Sequence, residues 1–515
     1  MKRTNFVTTI VIGVIALLLP LTLSVPALAA TGYTFTNKTA GTSLSGMGWN
    51  MVASSYTGQY LAADQWGGDI YTSTDYGASW TKATTGLPAG ATWSGIASSY
   101  SGKRLVVGQS GGDIYTSNDY GASWTNTTTG TSLNGKNWGP FTSSASGQYL
   151  SATVNGGHIY VSSNYGATWT DATSSGSKEW YGVASSATGK YLVADPYDGY
   201  AAVSSDYGAT WTTLPSLPNG GWCTATMSGT GQYQTLAGCG GNLYVSADYG
   251  ATWTQKVSDT HYWYSMASSF DGKYQTALDY GADIYTSSDY GATWANDTVG
   301  TALHGLSWGS VASSSTGQHL VLLEGSGDIY TANDPALTPT TTATVTNPVT
   351  SKAVGITTPL GTNITTTSVT TEASLAKQDS GYSYPLGLVS IGYDTGNTSD
   401  QVSLTFVTDL KPSQVVARDF NTTTQQYVTI PDAVITETTY GGQHALQVTY
   451  SLADNGSLDA NLAFGSVTDP VGLAQSISPD TGFGQPQSRF GLTGLVVTSS
   501  MLFVGGVVLA RRRVS

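Results

Sequence analysis

The sequence is short of charge, and of positive charge above all. Only 10% of its 515 residues are Asp, Glu, Lys or Arg, and 19 basic side chains stand against 32 acidic ones. Without Lys2, Arg3 and the three arginines at the C-terminus, 14 basic side chains face 32 acidic ones, a net of −18. Such a balance excludes a nucleic-acid partner, because phosphates need clustered Lys and Arg. Cysteine is scarcer still. Cys223 and Cys239 are the only two, 16 residues apart. In an oxidising compartment they are placed to form a disulfide between neighbouring elements, and two free thiols are the alternative. The five histidines are scattered, no Cys/His spacing fits a metal site, and no cofactor is implied.

What is present begins at the two ends. Lys2 and Arg3 precede an apolar run from Val11 to Leu23, and Ala27-Leu28-Ala29 offers small residues for cleavage. Residues 1–30 therefore read as a signal peptide. An uncleaved anchor helix fits less well, because Pro20 and Pro26 interrupt the run. At the other end, Leu492 to Ala510 is an uncharged stretch long enough to cross a bilayer. Arg511, Arg512 and Arg513 follow it and favour the cytoplasmic side. That reading puts the body of the protein outside the cell, whereas a buried core helix would leave the arginines without a reason.

Between the ends the dominant signal is an internal repeat. Ser73-Thr74-Asp75-Tyr76-Gly77-Ala78-Ser79-Trp80 returns at Ser117, Ser162, Ser204, Ser246 and Ser287, with Asn164 replacing Asp in the third copy. A decayed seventh copy, Tyr330 to Asp334, breaks at Pro335. A second marker keeps register with it: Trp49, Trp93, Trp138, Trp180, Trp222, Trp263 and Trp308 each precede a short run of small residues. Every period holds four short, Gly-bounded runs that suit strands better than helices. A step of 41–45 residues fits one four-stranded propeller blade. The last copy lacks its fourth strand, and Phe35 to Leu44 resembles the fourth-strand stretch Trp124 to Leu133. The expected fold is thus all-β, a seven-bladed β-propeller over residues 31–335 closed by its own N-terminus. Strand propensity and the repeated box are the only reasons the sequence offers for its 32 tyrosines.

The box S-x-D-x-G-x-[ST]-W resembles the Asp-box (BNR-like) repeat of sialidases, sortilin-type receptors and photosystem assembly factors. The short acids at Asp75, Asp119, Asp206, Asp248, Asp289 and Asp334, with Asn164, are expected to accept turn N–H groups as scaffolding. The glycine supplies a left-handed position without steric cost. The resemblance to sialidases implies three arginines around a substrate carboxylate. Residues 33–334 hold only Arg104, which rejects that activity. Other propellers of this type cleave polysaccharides with a carboxylate pair. Asp279 and Glu324 occupy the same place in adjacent repeats, expected between the second and third strands, and are the best pair available. Solvated loop acids are the alternative. Trp66 is the only Trp outside both repeated positions, so Trp66, with Tyr280, Asp279 and Glu324, is the candidate ligand contact. The seven leading tryptophans are read as packing between blades rather than contacts.

Past Asp334 the composition turns to Thr and Pro, and residues 336–351 read as an extended linker. Residues 352–475 then read as a smaller β-sandwich-like domain. Tyr384 to Val389, Asp454 to Asn461 and Asp469 to Gly472 resemble the choice-of-anchor domains of bacterial surface proteins. Asp454, Asp459 and Asp469 are possible Ca²⁺ ligands, with turn-forming acids as the alternative. In the spacer 476–491, Ser478-Pro479-Asp480-Thr481-Gly482 resembles an L-P-x-T-G sortase signal, with Pro479, Thr481 and Gly482 as its matching residues. Ser478 departs from the expected Leu, and retention by the helix in 492–515 alone needs no sortase. The whole reads as a surface-anchored adhesion protein whose propeller binds an extracellular glycan or protein. An exported polysaccharide hydrolase and a purely structural surface protein are the alternatives.

Overall fold

A computed structural model describes residues 32–258, 261–337, 339–359, 362–394, 399–422, 424–453 and 466–477. The expected signal segment, the apolar segment 492–510, Asp454, Asp459 and the Pro479, Thr481 and Gly482 positions lie outside the described residues. Among the described residues no helix is long and apolar enough to cross a membrane.

The repeat region is a β-propeller. Its first unit has antiparallel strands Trp49–Ser54, Leu61–Gln65, Ile70–Ser73 and Thr81–Ala83, and the following repeats copy this order. Seven four-stranded units result, the second and third being joined where Lys136–Ser143 pairs with Leu105–Gly112. The last unit takes its outer strand from the N-terminus: Thr34–Asn37 pairs with Ile329–Asn333, Thr34 opposite Asn333. Second strands such as Leu61–Gln65 and Leu192–Pro196 are buried on both faces, because a neighbouring sheet covers each side. They read as continuous apolar or small-residue runs for that reason, not as alternating ones.

Each first strand contacts the next, and the last contacts the first. At one end of the ring this closure is drawn in hydrogen bonds. Tyr56 N–H donates to Tyr100, Tyr100 to Ala145, Ala145 to Ala187, Ala187 to Gly229, Gly229 to Phe270, Phe270 to Ser315 and Ser315 back to Tyr56, all carbonyl acceptors at 2.6–2.9 Å. Inside this annulus the rings of Tyr56, Tyr100 and Phe270 meet at 5.2–6.1 Å and fill the middle.

Between sheets, the leading tryptophans are core. All seven are at most 3% exposed. Six stand edge-on to a third-strand tyrosine, as Trp93 does to Tyr115 at 5.6 Å and Trp263 to Tyr285 at 5.2 Å. In the fourth unit Ala202 takes the tyrosine's place, and the Lys178 ammonium covers the Trp180 ring instead. Several indoles donate to a carbonyl of the preceding unit, Trp93 to Gly68 at 3.1 Å among them.

The box turns are alike. Ser73 Oγ donates to Asp75 Oδ1 and accepts from Gly77 N–H, while Ser79 donates its N–H and its hydroxyl to the Asp75 carboxylate at 2.9 and 2.6 Å. Burial pushes the Asp75 carboxyl up, but these donors outweigh it and hold it below its ordinary value. At Asn164 one bond reverses, the amide donating to Thr168 Oγ1. Gly77 is left-handed as expected, and so is Tyr76 before it, at φ 60°. Six box tyrosines share that strained conformation. Each is covered by a side chain of the preceding unit: Tyr120 by Tyr60, Tyr207 by Tyr149, Tyr249 by Tyr191, Tyr290 by Tyr233, Tyr76 by His319 and Tyr165 by Arg104. Much of the tyrosine content therefore serves contacts between units.

The expected linker is not one. Thr342–Thr346 is a strand paired with Ala353–Thr357, because threonines alternating with Ala343 and Val345 suit a half-buried edge. Only a few residues after Asp334 connect the two folds. The second domain stacks a five-stranded sheet, which also holds Ser399–Val407, Val434–Tyr440 and Gln443–Ala453, on a six-stranded one. Phe406, Leu446 and Val448 of the first and Val389, Ile391 and Leu473 of the second share one core. Asp469 lies in the strand Ser466–Ser476 of the second sheet.

Candidate ligand-binding rim

The end of the ring opposite the annulus is open, and every unit builds it in the same way. Each first strand starts with a break in register, as between Trp49 and Val52 or Trp263 and Ser265. Such a bulge turns the residue after the leading Trp out of the ladder. Beside it, the residue that follows the second strand (in the second unit Ser110, within the longer strand Leu105–Gly112) is tied back by its N–H: Trp66 to Gly48, Ser110 to Thr92, Asn155 to Asn137, Tyr197 to Glu179, Cys239 to Gly221, Tyr280 to Tyr262 and Gly325 to Ser307. Three positions per unit therefore meet at the mouth.

These positions are where the repeats differ. The first three units contribute Asn50, Trp66, Ser94, Ser110, Asn137 and Asn155, a polar arc with one indole. The fourth contributes Glu179, Tyr181 and Tyr197, and the sixth contributes Tyr262, Tyr264 and Tyr280. The fifth has Gly221 and the Cys223–Cys239 disulfide, whose Cα atoms lie 5.2 Å apart. The seventh has only Ser307, Gly309 and Gly325. Below the mouth is a well of about 560 Å³ lined by first strands of all seven units, and none of its lining side chains is charged. Trp66 is 65% exposed at its edge.

The tyrosines form two groups. Tyr181 stacks on Tyr197 at 5.2 Å, and Tyr264 meets Tyr280 at 5.3 Å with Tyr262 alongside. All five are more than 40% exposed. Partial burial raises the Tyr181 phenol, and Tyr262, Tyr197, Glu179 and Asp198 raise it further. Tyr262 thus lies within electrostatic reach of the fourth unit.

Trp66 and Tyr280, both read from sequence, belong to this rim; Asp279 and Glu324 do not line the well. They face Trp263 and Trp308 in register, but as the last residues of their second strands, not in the following connection. Asp279 is 5% exposed, and both its oxygens are engaged, by His261 at 2.7 Å and Tyr262 N–H at 2.8 Å. Glu324 curls over its own turn, into the space a side chain at Gly327 would need. Neither carboxylate is therefore on the lining of the well. Tyr181, Tyr197, Tyr262 and Tyr264 were not singled out in the sequence. Their signal was the departure from the repeat beside each leading Trp and after each second strand.

Two buried acids stand behind the wall. Asp64 accepts from Met51 N–H, yet burial pushes its carboxyl up to about 7 against that bond and Asn50. Asp195, fully buried, is pushed far up by burial, and neither oxygen bonds another residue. It fills the space beside Gly182, where a Cβ would meet its Oδ1 at 2.5 Å. Among the described residues no group of three or more His, Cys, Asp or Glu could hold a metal ion.

No protein-family profile matches the chain, and no curated protein matches it. Among solved structures it is similar to Ycf48 bound to D1 peptide, at 14% identity and TM-score 0.48, covering 60% of this chain and 99% of that one. Ycf48 from Cyanidioschyzon merolae gives 15% identity and TM-score 0.46 over 59% and 99% of the two chains. A GH74 xyloglucanase from Xanthomonas campestris gives 16% identity and TM-score 0.45 over 59% and 54%. At these values nothing about ligand or chemistry carries over to this chain.

Proposed function

We propose that this chain is a seven-bladed Asp-box propeller displayed outside the cell as an adhesion receptor, holding a glycan against the open rim. One observation carries the reading: a blind, uncharged well whose mouth is set with exposed aromatic rings and side-chain amides. Aromatic faces offer large apolar area beside hydroxyls and amides that can bond a polar ligand. The box turns also expose tyrosines, but the hollows beside them are lined with charged side chains such as Arg104, Lys82 and Asp119.

Display is the other half of the proposal. Export by residues 1–30, retention by the segment 492–515 and the choice-of-anchor-like second domain would hold the propeller away from the membrane. The sortase-like Pro479, Thr481 and Gly482 would add a covalent wall link, and Asp454, Asp459 and Asp469 a Ca²⁺ site.

The test is a glycan-array and whole-cell binding screen with the full chain. Saturable binding is expected, with Trp66→Ala weakening it about tenfold or more while Tm stays within a degree. A large drop in Tm would make Trp66 a packing residue. Equal binding by wild type and variant would remove Trp66 from the site.

A further inference from the structure

We propose that the ligand lies in a groove over the fifth unit, walled by tyrosines of the fourth and sixth units and floored by the Cys223–Cys239 disulfide, and that its occupant is a neutral glycan chain. The inference rests on the reading of the rim as a glycan receptor and says where on it the chain runs.

The floor is low because the fifth unit brings no large side chain to the mouth. Its three rim positions are Gly221, Cys223 and Cys239, with Gly238 and Gly240 on either side of Cys239. Cys223 is 7% exposed and lines the well, so the groove opens into it. On one side stands the Tyr181–Tyr197 stack, and on the other Tyr262, Tyr264 and Tyr280.

Both walls are held from behind. Gly221 N–H donates to the Tyr197 carbonyl at 2.6 Å, which ties the floor to the fourth-unit wall. In the sixth unit Asp279 accepts Tyr262 N–H and is itself held by His261, and Tyr280 N–H donates to the Tyr262 carbonyl at 3.0 Å. Asp279 is thus a positioning residue for the wall. A site whose aromatic walls are fixed before the ligand arrives loses little entropy on binding.

The chemistry of the walls selects the occupant. A pyranose presents a C–H face that packs on an aromatic ring and hydroxyls that bond phenols. No cation lines the well, and at the fourth-unit wall Glu179 and Asp198 outnumber Lys178, whose ammonium is turned to the Trp180 ring and the Tyr200 carbonyl. An anionic sugar chain would be repelled there, and a neutral one would not.

The experiment titrates the full chain with hexaoses of glucose, xylose, mannose and N-acetylglucosamine, and with a polyproline decapeptide, by calorimetry. Wild type is compared with Tyr197→Ala, Tyr280→Ala, Trp66→Ala and the paired Cys223→Ser/Cys239→Ser variant. At least one hexaose is expected to bind, and each tyrosine change to weaken it about tenfold with Tm unchanged. The cysteine variant should lose affinity as well. Because it can also lose stability, the tyrosine variants decide. Wild-type affinity in both tyrosine variants, with loss only in Trp66→Ala, overturns the groove and leaves the rim reading standing. Binding of the peptide and of no hexaose overturns the glycan as occupant. No binding of either probe by the folded chain overturns groove and rim reading together.

Discussion

The two ends of the propeller are built on opposite rules. At the annulus end, seven backbone bonds close a ring, and six box turns repeat one hydrogen-bond pattern with a single Asp-to-Asn exchange. At the open end the backbone is equally regular, yet nearly every side chain placed on it differs from unit to unit. Regular backbone with irregular side chains is what a binding surface on a fixed frame requires. Repetition marks the frame here, and departure from it marks the candidate site.

Substitutions on the two sides should therefore separate stability from binding. The largest effect is expected inside the frame. Trp93→Ala, at a residue 1% exposed and far from the tyrosine walls, should cost about 3–5 kcal/mol in urea unfolding. Ligand affinity of the protein that remains folded should not change. A loss below about 1 kcal/mol would mean that neighbouring units collapse into the gap and that the frame is less rigid than its regularity suggests.

Asp64 lies between the two regimes. Its carboxyl is raised in the folded protein, so its ionisation opposes folding: stability is greatest below about 4 and falls as pH rises towards about 7. Asp64→Asn should therefore stabilise the protein at pH 8 by at most roughly 4 kcal/mol, with the gain vanishing near pH 4. Urea midpoints at the two pH values measure this, and an equal shift at both would assign the effect to packing instead.

The box acids carry the opposite sign. Donors from Thr210 and Ser204 hold the Asp206 carboxyl below its ordinary value, although burial opposes them. Its contribution is complete at neutral pH and is lost as the solution is acidified through the folded-state value. Asp206→Ala should cost about 1 kcal/mol at pH 7, and Asp206→Asn less, since Asn164 already serves in the third unit. Thermal melts at pH 7 and pH 3 decide, and a cost that grows on acidification would contradict the assignment.

How much of this was legible depended on repetition. Seven leading tryptophans in register are legible as core from the repeat alone, and they are buried. The second-domain edge strand Thr342–Thr346 was misread as linker because Thr and Pro runs look alike in composition. What separates them is pairing with the next strand, Thr346 lying opposite Ala353. From sequence, Asp279 and Glu324 are placed in the connection between the second and third strands, as a candidate carboxylate pair and ligand contact. The register shows that they end buried strands, and Asp279 points inward to His261. The tyrosine walls were hidden by abundance. Among 32 tyrosines, those that matter at the mouth are distinguishable only once a bulge and a backbone tie fix which positions turn outward.

The way the last unit is completed has a mechanical consequence. The chain leaves the ring at the end of Ile329–Asn333, which is flanked on one side by His319–Glu324 and on the other by Thr34–Asn37. Asp334, just beyond, accepts N–H bonds from Gly32 and Ala336. Tension applied from the C-terminal side therefore enters a strand gripped along both edges. To pull it free, two antiparallel ladders must yield together, and the N-terminal segment, far away in sequence, shares the load.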